Sequence, residues 1–253
     1  MFNFFAEENS RQGDLFAITG GDFNHIKNVL RMNLGDTFLV SHKGQSHLCE
    51  LFELSGDTAF AKILEENVQD TELPLEIYLF QGLPKSDKLE WILQKCVELG
   101  VQGVIPVETK RSIVKIEPKK KAAKQSRWQA IAESAAKQSK RNVIPAVSEA
   151  ISFKEAVEQA KGMDLILVPY ENKEGMAATK TALSSLKTGM KVGIFIGPEG
   201  GFEESEVETL QQEGAHIISL GKRILRTETA AITAVSMVML YTETEIGNET
   251  TAQ

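Results

Sequence analysis

The two stretches that decide the fold are IFIGPEGGF at residues 194–202 and LGKRILRTETA at residues 220–230. Each runs from an apolar segment into a glycine turn and then into the predicted start of a helix. Open α/β folds bind their ligands at such turns. Glycine has no Cβ, so it reaches positive φ and lets a ligand approach the main chain closely. One such turn is most often a plain strand-to-helix connection, whereas two in one region predict a shared pocket.

Residues 75–242 alternate apolar runs with amphipathic runs, which is typical of a mostly parallel sheet covered by helices. The predicted strands are 75–80, 103–107, 165–169, 192–196 and 217–220, and the predicted helices are 88–99, 126–139, 153–160, 203–212 and 228–242. Asp87 and Glu90 are expected to cap the first helix, and Gly100 to end it. Both glycine turns therefore follow strands of one sheet.

Residues 1–72 show a different pattern, with short apolar runs separated by turns. Their spacing predicts a small β-barrel with strands at 15–18, 37–40, 47–54 and 58–64. One helix interrupts them, and Asp22 is expected to cap it. The predicted apolar face of this helix comprises Phe23, Ile26, Val29 and Leu30. Pro74 suits a linker, so we predict two domains, residues 1–72 and residues 73–253.

The bulk composition sets broad limits. A chain of 253 residues buries a sizeable core. Its two cysteines are too few for a disulfide framework and fit a reducing compartment, and Cys96 is expected to be a small buried apolar residue. The sequence has neither a signal-peptide pattern nor an apolar run long enough to cross a bilayer. We therefore expect a soluble, cytoplasmic protein.

Charge is distributed unevenly along the chain. The net charge is −7, which alone argues against a nucleic-acid partner. Residues 110–141, however, contain eleven basic residues and two acidic ones, which gives this segment +9 and leaves −16 for the rest. Such a local field attracts a phosphate backbone. A solvated, lysine-rich helix face explains the segment equally well.

Several common sites are absent from the sequence. It has no Gly-x-Gly-x-x-Gly and no phosphate loop ending in Gly-Lys-Ser/Thr, so dinucleotide and nucleoside-triphosphate sites are unsupported. His42, His47 and Cys49 match no usual metal spacing, so no metal is expected. The remaining candidate is a pocket built largely of main chain. It suits a flat ring such as adenine, and the helix starts at Glu203 and Glu228 offer amides for a carboxylate or phosphate.

The two stretches together resemble the paired C-terminal signature of the 16S ribosomal RNA uridine N3-methyltransferases, a family of the knotted SPOUT class. The similarity extends over the whole chain. His25-Ile26-x-x-Val29-Leu30-Arg31 with Gly35-Asp36 is similar to the N-terminal PUA-like barrel of that family. Residues 83–95 and 98–100 resemble the opening of its catalytic domain. Asn3 and Lys222 depart from the family pattern, which often has Arg and Pro there.

The resemblance implies an α/β trefoil-knot methyltransferase domain preceded by a small PUA-like β-barrel. It implies S-adenosylmethionine as methyl donor, S-adenosylhomocysteine as product, and a homodimer. The positions that match the donor-binding loops are Leu167, Val168, Pro169, Ile196, Gly197, Pro198, Glu199, Gly200, Leu220, Gly221, Ile224, Leu225, Thr227 and Ala230.

The expected reaction is methylation of N3 of a uridine in 16S ribosomal RNA, with the assembled 30S subunit as the expected substrate. Arg226 is the candidate for stabilising the developing uracil anion, while Glu199 or Glu228 would offset the sulfonium charge or accept a proton. Alternatively, Arg226 only pairs with Glu228, and Glu199 only bonds backbone amides of its loop. The candidate RNA-binding residues are Arg31, Lys85, Lys88, Arg111, Arg141 and Asn142.

Two other functions stay open at this point. One is a non-catalytic RNA-binding or ribosome-assembly factor that retains the fold. The other is a knotted methyltransferase that acts on another RNA position, such as a ribose 2′-hydroxyl. The basic segment fits all of these functions. Only a pocket for the methyl donor would distinguish the methyltransferases from a non-catalytic RNA-binding factor.

Overall fold

The computed structural model describes residues 1–170 and 175–246, which form two compact units. Unit 1 comprises Met1–Glu72 together with Ala136–Ile144, and unit 2 comprises the remaining described residues. The predicted division at residue 72 did not include the 136–144 segment in the first unit. Within the described ranges, no helix is long and apolar enough to cross a membrane.

Unit 1 is built on a six-stranded sheet. Its strands are β1 (Asn3–Phe5), β2 (Arg11–Gln12), β3 (Leu15–Ile18), β4 (Thr37–His42), β5 (Gln45–Ser55) and β6 (Thr58–Glu65), in the order β1-β4-β5-β6-β3-β2. Only β1 and β4 are parallel; the other pairs are antiparallel. The four strands predicted from spacing are all present, whereas β1 and β2 are too short to give an alternating pattern.

The helical stretch of unit 1 differs from its prediction. Helix α1 (Gly20–Asn24) continues into a π-helical turn, His25–Val29. Asp22 lies inside α1 and accepts a hydrogen bond from Lys137 at 2.6 Å, so it is not the cap. Val29 is 62% exposed, because a π turn has a wider period than the α-helix assumed for the apolar face. The core of the unit is formed by buried side chains that include Phe4, Phe16, Ile26, Phe38 and Leu51.

Unit 2 is built on a parallel sheet of seven strands, β7 (Glu76–Gly82), β8 (Gly103–Glu108), β9 (Ala146–Val147), β10 (Ile151–Ser152), β11 (Leu165–Pro169), β12 (Lys191–Ile196) and β13 (His216–Ile218). The order is β10-β8-β7-β12-β11-β13, and β9 also pairs with β8. Phe80 and Phe195 stack at 4.4 Å between ring centroids where β7 and β12 pair. The apolar runs thus form a buried, all-parallel sheet, as their continuous hydrophobicity predicts.

The helices that accompany this sheet are α2 (Lys88–Glu98), α3 (Pro118–Ser139), α4 (Phe153–Ala160), α5 (Met176–Leu183), α6 (Glu204–Gln212) and α7 (Thr227–Tyr241), and a π-helical turn Thr242–Ile246 follows α7. Gly100 ends α2 with φ +93°, as predicted. Asp87 makes no capping bond, and Glu90 instead accepts from Arg127, so the predicted capping pair is wrong. Helix α5 was not predicted, because its sequence has little amphipathic contrast.

The strand order has one consequence for the site. Strand β12 lies between β7 and β11, while the later strand β13 lies beyond β11. Helix α7, which follows β13, nevertheless packs against β7, β12 and α2. The chain therefore returns from the far edge of the sheet to its centre between residues 218 and 227. This path is consistent with a knot, which stays a prediction.

Candidate functional site

The two glycine-rich segments meet at one edge of the sheet in unit 2. Leu167 on β11 pairs with Ile194 on β12, and Val168 pairs with Ile217 on β13. Because these strands are parallel, their carboxyl ends lie side by side. We call residues 197–202 the first glycine loop and residues 219–226 the second glycine loop. The sequence prediction that both belong to one edge is confirmed.

The first glycine loop is packed so closely that Gly197 within it and Gly82 against it both exclude any side chain. A Cβ on Gly197 would lie 2.9 Å from the carbonyl carbon of Gly201. A Cβ on Gly82, at the end of β7, would lie 2.6 Å from Cδ of Pro198. Gly201 has φ +67° and donates its N–H to the carbonyl of Pro198 at 2.9 Å. The loop thus has one tight conformation.

A buried hydroxyl ties the first glycine loop to the start of α7. Thr227 Oγ1 donates to the carbonyl oxygen of Gly197 at 2.6 Å and accepts from Gln81 Nε2 at 3.0 Å. Gln81 Nε2 also donates to the carbonyl of Gly82 at 2.8 Å. Both side chains are buried, so these bonds are shielded from water. They fix the ends of β7 and β12 against α7.

An ammonium group joins the two candidate carboxylates. Lys88 Nζ lies 3.0 Å from Glu199 Oε1 and 3.3 Å from Glu228 Oε2; the second contact is an ion pair without hydrogen-bond alignment. The backbone N–H of Lys85 also donates to Glu199 at 3.1 Å. Burial acts to raise the pKa of Glu199, but Lys88 and the N–H groups of Glu199 and Lys85 outweigh it, so the pKa lies below its ordinary value. Glu199 is therefore an anion at neutral pH.

Arg111 holds the outer side of the first glycine loop. Its Nη1 donates to the carbonyl oxygen of Gly200 at 3.0 Å, and a Cβ on Gly200 would lie 3.2 Å from Arg111 Cβ. This residue was predicted to contact RNA. Its side chain is exposed, but one of its donors already bonds the loop. Arg111 thus connects the segment after β8 to the first glycine loop.

The second glycine loop is open by comparison. Gly221 has φ +111°, and a Cβ there would meet no atom within 4 Å. Ile224 is 98% exposed. Within residues 1–170 and 175–246, the Arg226 guanidinium has no hydrogen-bond or ion-pair partner, so the alternative that it pairs with Glu228 is wrong. The loop is anchored at its beginning, where Thr179 Oγ1 exchanges hydrogen bonds with the main chain of Ser219 at 2.8 and 2.9 Å.

The start of α7 offers unpaired main-chain donors. Arg226 is the residue before the first turn, and its side chain makes no capping bond. The N–H groups of Thr227, Glu228 and Thr229 find no acceptor in the part of the chain that the structure describes. A helix start with free N–H groups attracts a carboxylate or a phosphate. At the start of α6, in contrast, the protein supplies its own carboxylate: the side chain of Glu206 accepts a hydrogen bond from the N–H of Glu203 at 2.9 Å.

The other predicted pocket residues divide by exposure. Leu167, Val168 and Ile196 are buried in the hydrophobic core. Their side chains therefore support the site from inside the protein and are not exposed to a ligand. Pro169, Leu220, Leu225 and Ala230 are half-buried at the strand ends and the start of α7. These partly open positions, together with the main chain of both glycine loops, remain available to a ligand.

Two of the predicted RNA-binding residues are in the interior of unit 1. Arg141 is 2% exposed, and its guanidinium bonds the carboxylate of Glu72, which also accepts from the N–H of Asn142 at 2.9 Å. Asn142 is 3% exposed and donates to the carbonyl of Gln69 at 3.1 Å. Neither side chain reaches a phosphate from these positions, so this part of the prediction is wrong. Arg31 and Lys85 are exposed.

Sequence reasoning missed the residues that hold the two loops in place. Gln81 and Gly82 end an otherwise apolar strand, and a polar residue at that point was the available signal. Thr179 lies on the unpredicted α5 and carried no signal. Cys49 and Cys96 are both buried free thiols, and burial raises the pKa of Cys49 to about 12. Among the described residues, no cluster of His, Cys, Asp or Glu is suited to a metal.

Known proteins are similar to this chain over most of its length. Residues 71–239 match a family model described as an RNA methyltransferase domain, and residues 18–64 match an RNA methyltransferase PUA domain. The chain is 42% identical to ribosomal RNA small subunit methyltransferase E of Bacillus subtilis over 92% of this chain and 93% of that protein. Ribosomal RNA small subunit methyltransferase E from Neisseria gonorrhoeae, solved bound to S-adenosylmethionine, is similar with a TM-score of 0.80 and 33% identity, covering 95% and 97% of the two chains. A putative methyltransferase from Legionella pneumophila, solved with the same cofactor, gives a TM-score of 0.81 and 30% identity over 94% and 97%.

Proposed function

The chain belongs to the ribosomal RNA small subunit methyltransferase E family, and on this premise we propose that it methylates N3 of a uridine in 16S ribosomal RNA. S-adenosylmethionine is the methyl donor, as in the cofactor-bound relatives. The observation that carries the proposal is the pairing of a rigid loop with an open cationic one at the same sheet edge. The first suits a donor that is held still, and the second suits a polyanionic acceptor.

The residues at this edge fit the donor. Gly197 and Gly82 have no room for a side chain, so the main chain itself forms the wall against which an adenine ring would lie. The half-buried Leu220 and Leu225 would cover its apolar faces. The free N–H groups of Thr227, Glu228 and Thr229 would donate hydrogen bonds to the carboxylate of the methionine part. When bound, the sulfonium supplies an activated methyl group, so no covalent protein intermediate is needed.

The charges around Lys88 match this ligand. One ammonium lies between two carboxylates, so the cluster of Lys88, Glu199 and Glu228 has a formal charge of −1. A cation bound nearby is stabilised by that charge, and a neutral thioether is not. Since Glu199 is held as an anion by three hydrogen bonds, we assign it to charge complementarity and loop fixation, not to proton transfer.

Arg226 is assigned to the acceptor. The uracil ring gains negative charge as the N3 proton leaves, and a cation aimed at that charge lowers the barrier. Arg226 has the required freedom, because no described residue neutralises it. Its position at the start of α7 places it next to the donor amides of Thr227 and Glu228. Orientation of the two reactants by rigid loops then provides the rest of the acceleration.

RNA capture is assigned to exposed cations in each unit. Arg31 serves in unit 1, and Lys85, Arg111, Lys222 and Arg223 serve in unit 2. Lys88 is removed from this group because two carboxylates already bind it. Phosphate contacts of this kind make affinity fall steeply with salt.

The proposal also covers the form of the acceptor, the assembly and location of the protein, and the division of work between its two units. The acceptor is 16S ribosomal RNA within the assembled 30S subunit, because N3 is exposed only when the uridine leaves its stack and a structured region must present it. The protein works as a homodimer with a knotted second domain, in the cytoplasm where ribosomes assemble. Unit 1 binds RNA, and unit 2 transfers the methyl group.

Nucleoside mapping tests the proposal. Purified protein and S-adenosylmethionine are incubated with 30S subunits that lack the modification, and digested ribosomal RNA is analysed by mass spectrometry. We expect one 3-methyluridine per 16S molecule from wild type and a strong reduction with Arg226→Ala. The matched control is Lys161→Ala, which removes an exposed cation distant in sequence from both loops. A 2′-O-methylated nucleoside, or no product despite donor binding, would contradict the proposal.

A further inference from the structure

A second cavity opens at the carboxyl end of β8, beside the loop that carries Arg111. It has a volume of about 280 Å³ and is lined by Glu108, Thr109, Lys110, Ser112, Val114, Lys115, Phe153 and Glu206. Ligand pockets commonly measure roughly 300–1,000 Å³. At about 280 Å³ the cavity lies just below this range, which suits a single small group such as a nucleobase.

The walls of this cavity are fixed by internal hydrogen bonds. The hydroxyls of Thr109 and Ser112 bond each other at 2.9 Å. The carboxylate of Glu206, a buried residue, accepts from the N–H of Lys110 at 2.9 Å. Phe153 packs against Phe202 with ring centroids 6.3 Å apart. The cavity is thus preorganised, and its apolar side consists of Phe153 and Val114.

Two charged groups of the lining have capacity for a ligand. The carboxylate of Glu108 forms an ion pair with Lys121 at 3.8 Å but accepts no hydrogen bond in residues 1–170 and 175–246. Lys115 makes no ion pair within the same ranges. A carboxylate that accepts no hydrogen bond suits a ligand with N–H donors, and an ammonium without an ion pair suits an anion. An apolar ring face between these charges completes the chemistry of a nucleotide whose base bears an amino group.

The surroundings connect this cavity to the acceptor RNA. Arg111 lies between the lining residues Lys110 and Ser112 and bonds the first glycine loop through Gly200. Ile113, next along the chain, is 72% exposed, which suits stacking on an unpaired base. The segment that lines the cavity is thus joined directly to the first glycine loop.

We propose that the cavity binds a neighbouring nucleotide of the acceptor strand, one whose base carries an exocyclic amino group. This inference rests on the proposed function. The amine donates to Glu108, the ring lies on Phe153, and the phosphate meets Lys115. The cavity thereby reads the sequence beside the methylated uridine, which sets the register of the strand at the donor site.

Mononucleotides test this without methylation. Chemical shifts of the full chain are followed during titration with cytidine monophosphate and, separately, with uridine monophosphate, which has a carbonyl where cytidine has the amine. We expect millimolar binding with about tenfold preference for the cytidine nucleotide, since a charge-assisted hydrogen bond is replaced by repulsion between oxygens. Glu108→Gln should reduce the preference to near one, and the control Glu149→Gln, an exposed carboxylate outside the cavity, should keep it.

A second pair of variants separates binding from folding. Lys115→Ala changes an exposed side chain and should weaken both nucleotides about threefold. Phe153→Leu should weaken both as well, with circular dichroism verifying the fold. Equal affinity for the two nucleotides in wild type, no binding of either, or an unchanged preference in Glu108→Gln would overturn the inference. Calorimetry with S-adenosylmethionine on the same wild-type sample reports on the proposed function separately, because the mononucleotide titration needs no donor.

Discussion

The first glycine loop and the second glycine loop share one sheet edge but are built in opposite ways. Gly197 in the first loop is surrounded by main-chain atoms, whereas Gly221 in the second has open space around it. The first loop leads into α6, where the side chain of Glu206 bonds the N–H of Glu203 just before the helix, and the second leads into α7, whose opening N–H groups are free. The first loop is packed and hydrogen-bonded within the protein, whereas the second loop has open space and free donors that a ligand could use.

The contrast teaches how a site divides two tasks. A methyl donor must be held within a fraction of an ångström, which requires a loop with one conformation. A ribosomal acceptor arrives from solvent and needs accessible charge, which the second loop supplies through Lys222, Arg223 and Arg226. Substitutions in the first loop should therefore change stability, and those in the second should change activity.

Among the glycines, the largest effect is expected at the crowded position. Gly197→Ala places a methyl group 2.9 Å from a main-chain carbon that cannot move away, and should lower the free energy of unfolding by about 3 kcal/mol. Gly221→Ala faces no clash but keeps φ +111°, so we expect about 1 kcal/mol. Urea denaturation measures both. Gly162→Ala, where the new Cβ makes ordinary contacts, is the control, and equal losses at positions 197 and 221 would remove the distinction.

Arg226→Ala should have the next largest effect, on rate. Loss of a cation aimed at developing charge typically costs about a hundredfold in kcat. Since Arg226 has no partner in the described structure, the free energy of unfolding should stay within about 0.5 kcal/mol of wild type. Single-turnover methylation of 30S subunits gives the rate, and thermal unfolding gives the stability. Normal turnover would remove Arg226 from the mechanism.

Thr227→Val probes the bond that joins the first loop to α7. It removes the donor to the Gly197 carbonyl and one of the two acceptors of Gln81 Nε2, so two shielded hydrogen bonds are lost and we expect a loss of about 2 kcal/mol. Thr229→Val makes the same chemical change at an exposed position of the same helix turn. Comparison of their denaturation midpoints isolates the buried bonds. Equal midpoints would show that the network adds no stability.

The contribution of Glu199, in the first glycine loop, to the stability of the protein should depend on pH. The folded-state pKa of Glu199 lies below its ordinary value of 4.5, so its contribution to stability is present above pH 4.5 and is lost as pH falls through the folded-state pKa. Wild type should therefore exceed Glu199→Gln in stability at neutral pH, and the difference should disappear in acid. Glu204→Gln, at an exposed position on α6, should show no such trend. A difference that grew on acidification would contradict the sign.

Ile224→Ser should have the smallest effect on stability. This side chain is 98% exposed, so its replacement should change the free energy of unfolding by less than about 0.5 kcal/mol. Phe202→Ala at the end of the first loop, where the ring is 2% exposed, should cost about 3–5 kcal/mol. Calorimetric unfolding of the two variants compares the loops directly. A large loss for Ile224→Ser would mean that the second loop is packed.

The sequence predicted those parts of the site that depend on interactions between residues close together in the chain. The positions of β11 and α4 and the gathering of both glycine turns at one edge follow from apolar runs and glycine. Nothing local predicts that Arg141 bonds Glu72, because the partners lie far apart in sequence and the surrounding charges look like an RNA-binding surface. Likewise, Lys88 looked free until the fold placed Glu199 and Glu228 beside it. Strand order, too, depends on pairings between distant segments that periodicity does not encode.

The central place of β12 has a consequence for synthesis. Strand β7 pairs with β8 on one side and with β12 on the other, where Glu76 pairs with Lys191. The pairing with β12 can form only after most of the chain has left the ribosome. During that interval one edge of β7 is unpaired, and pairing over such a span is slow. Translation runs from the N-terminus, so the strands of unit 1 pair among themselves much earlier. A nascent chain would thus gain its first sheet well before it gains a donor site, and a chain stopped before residue 191 would gain none.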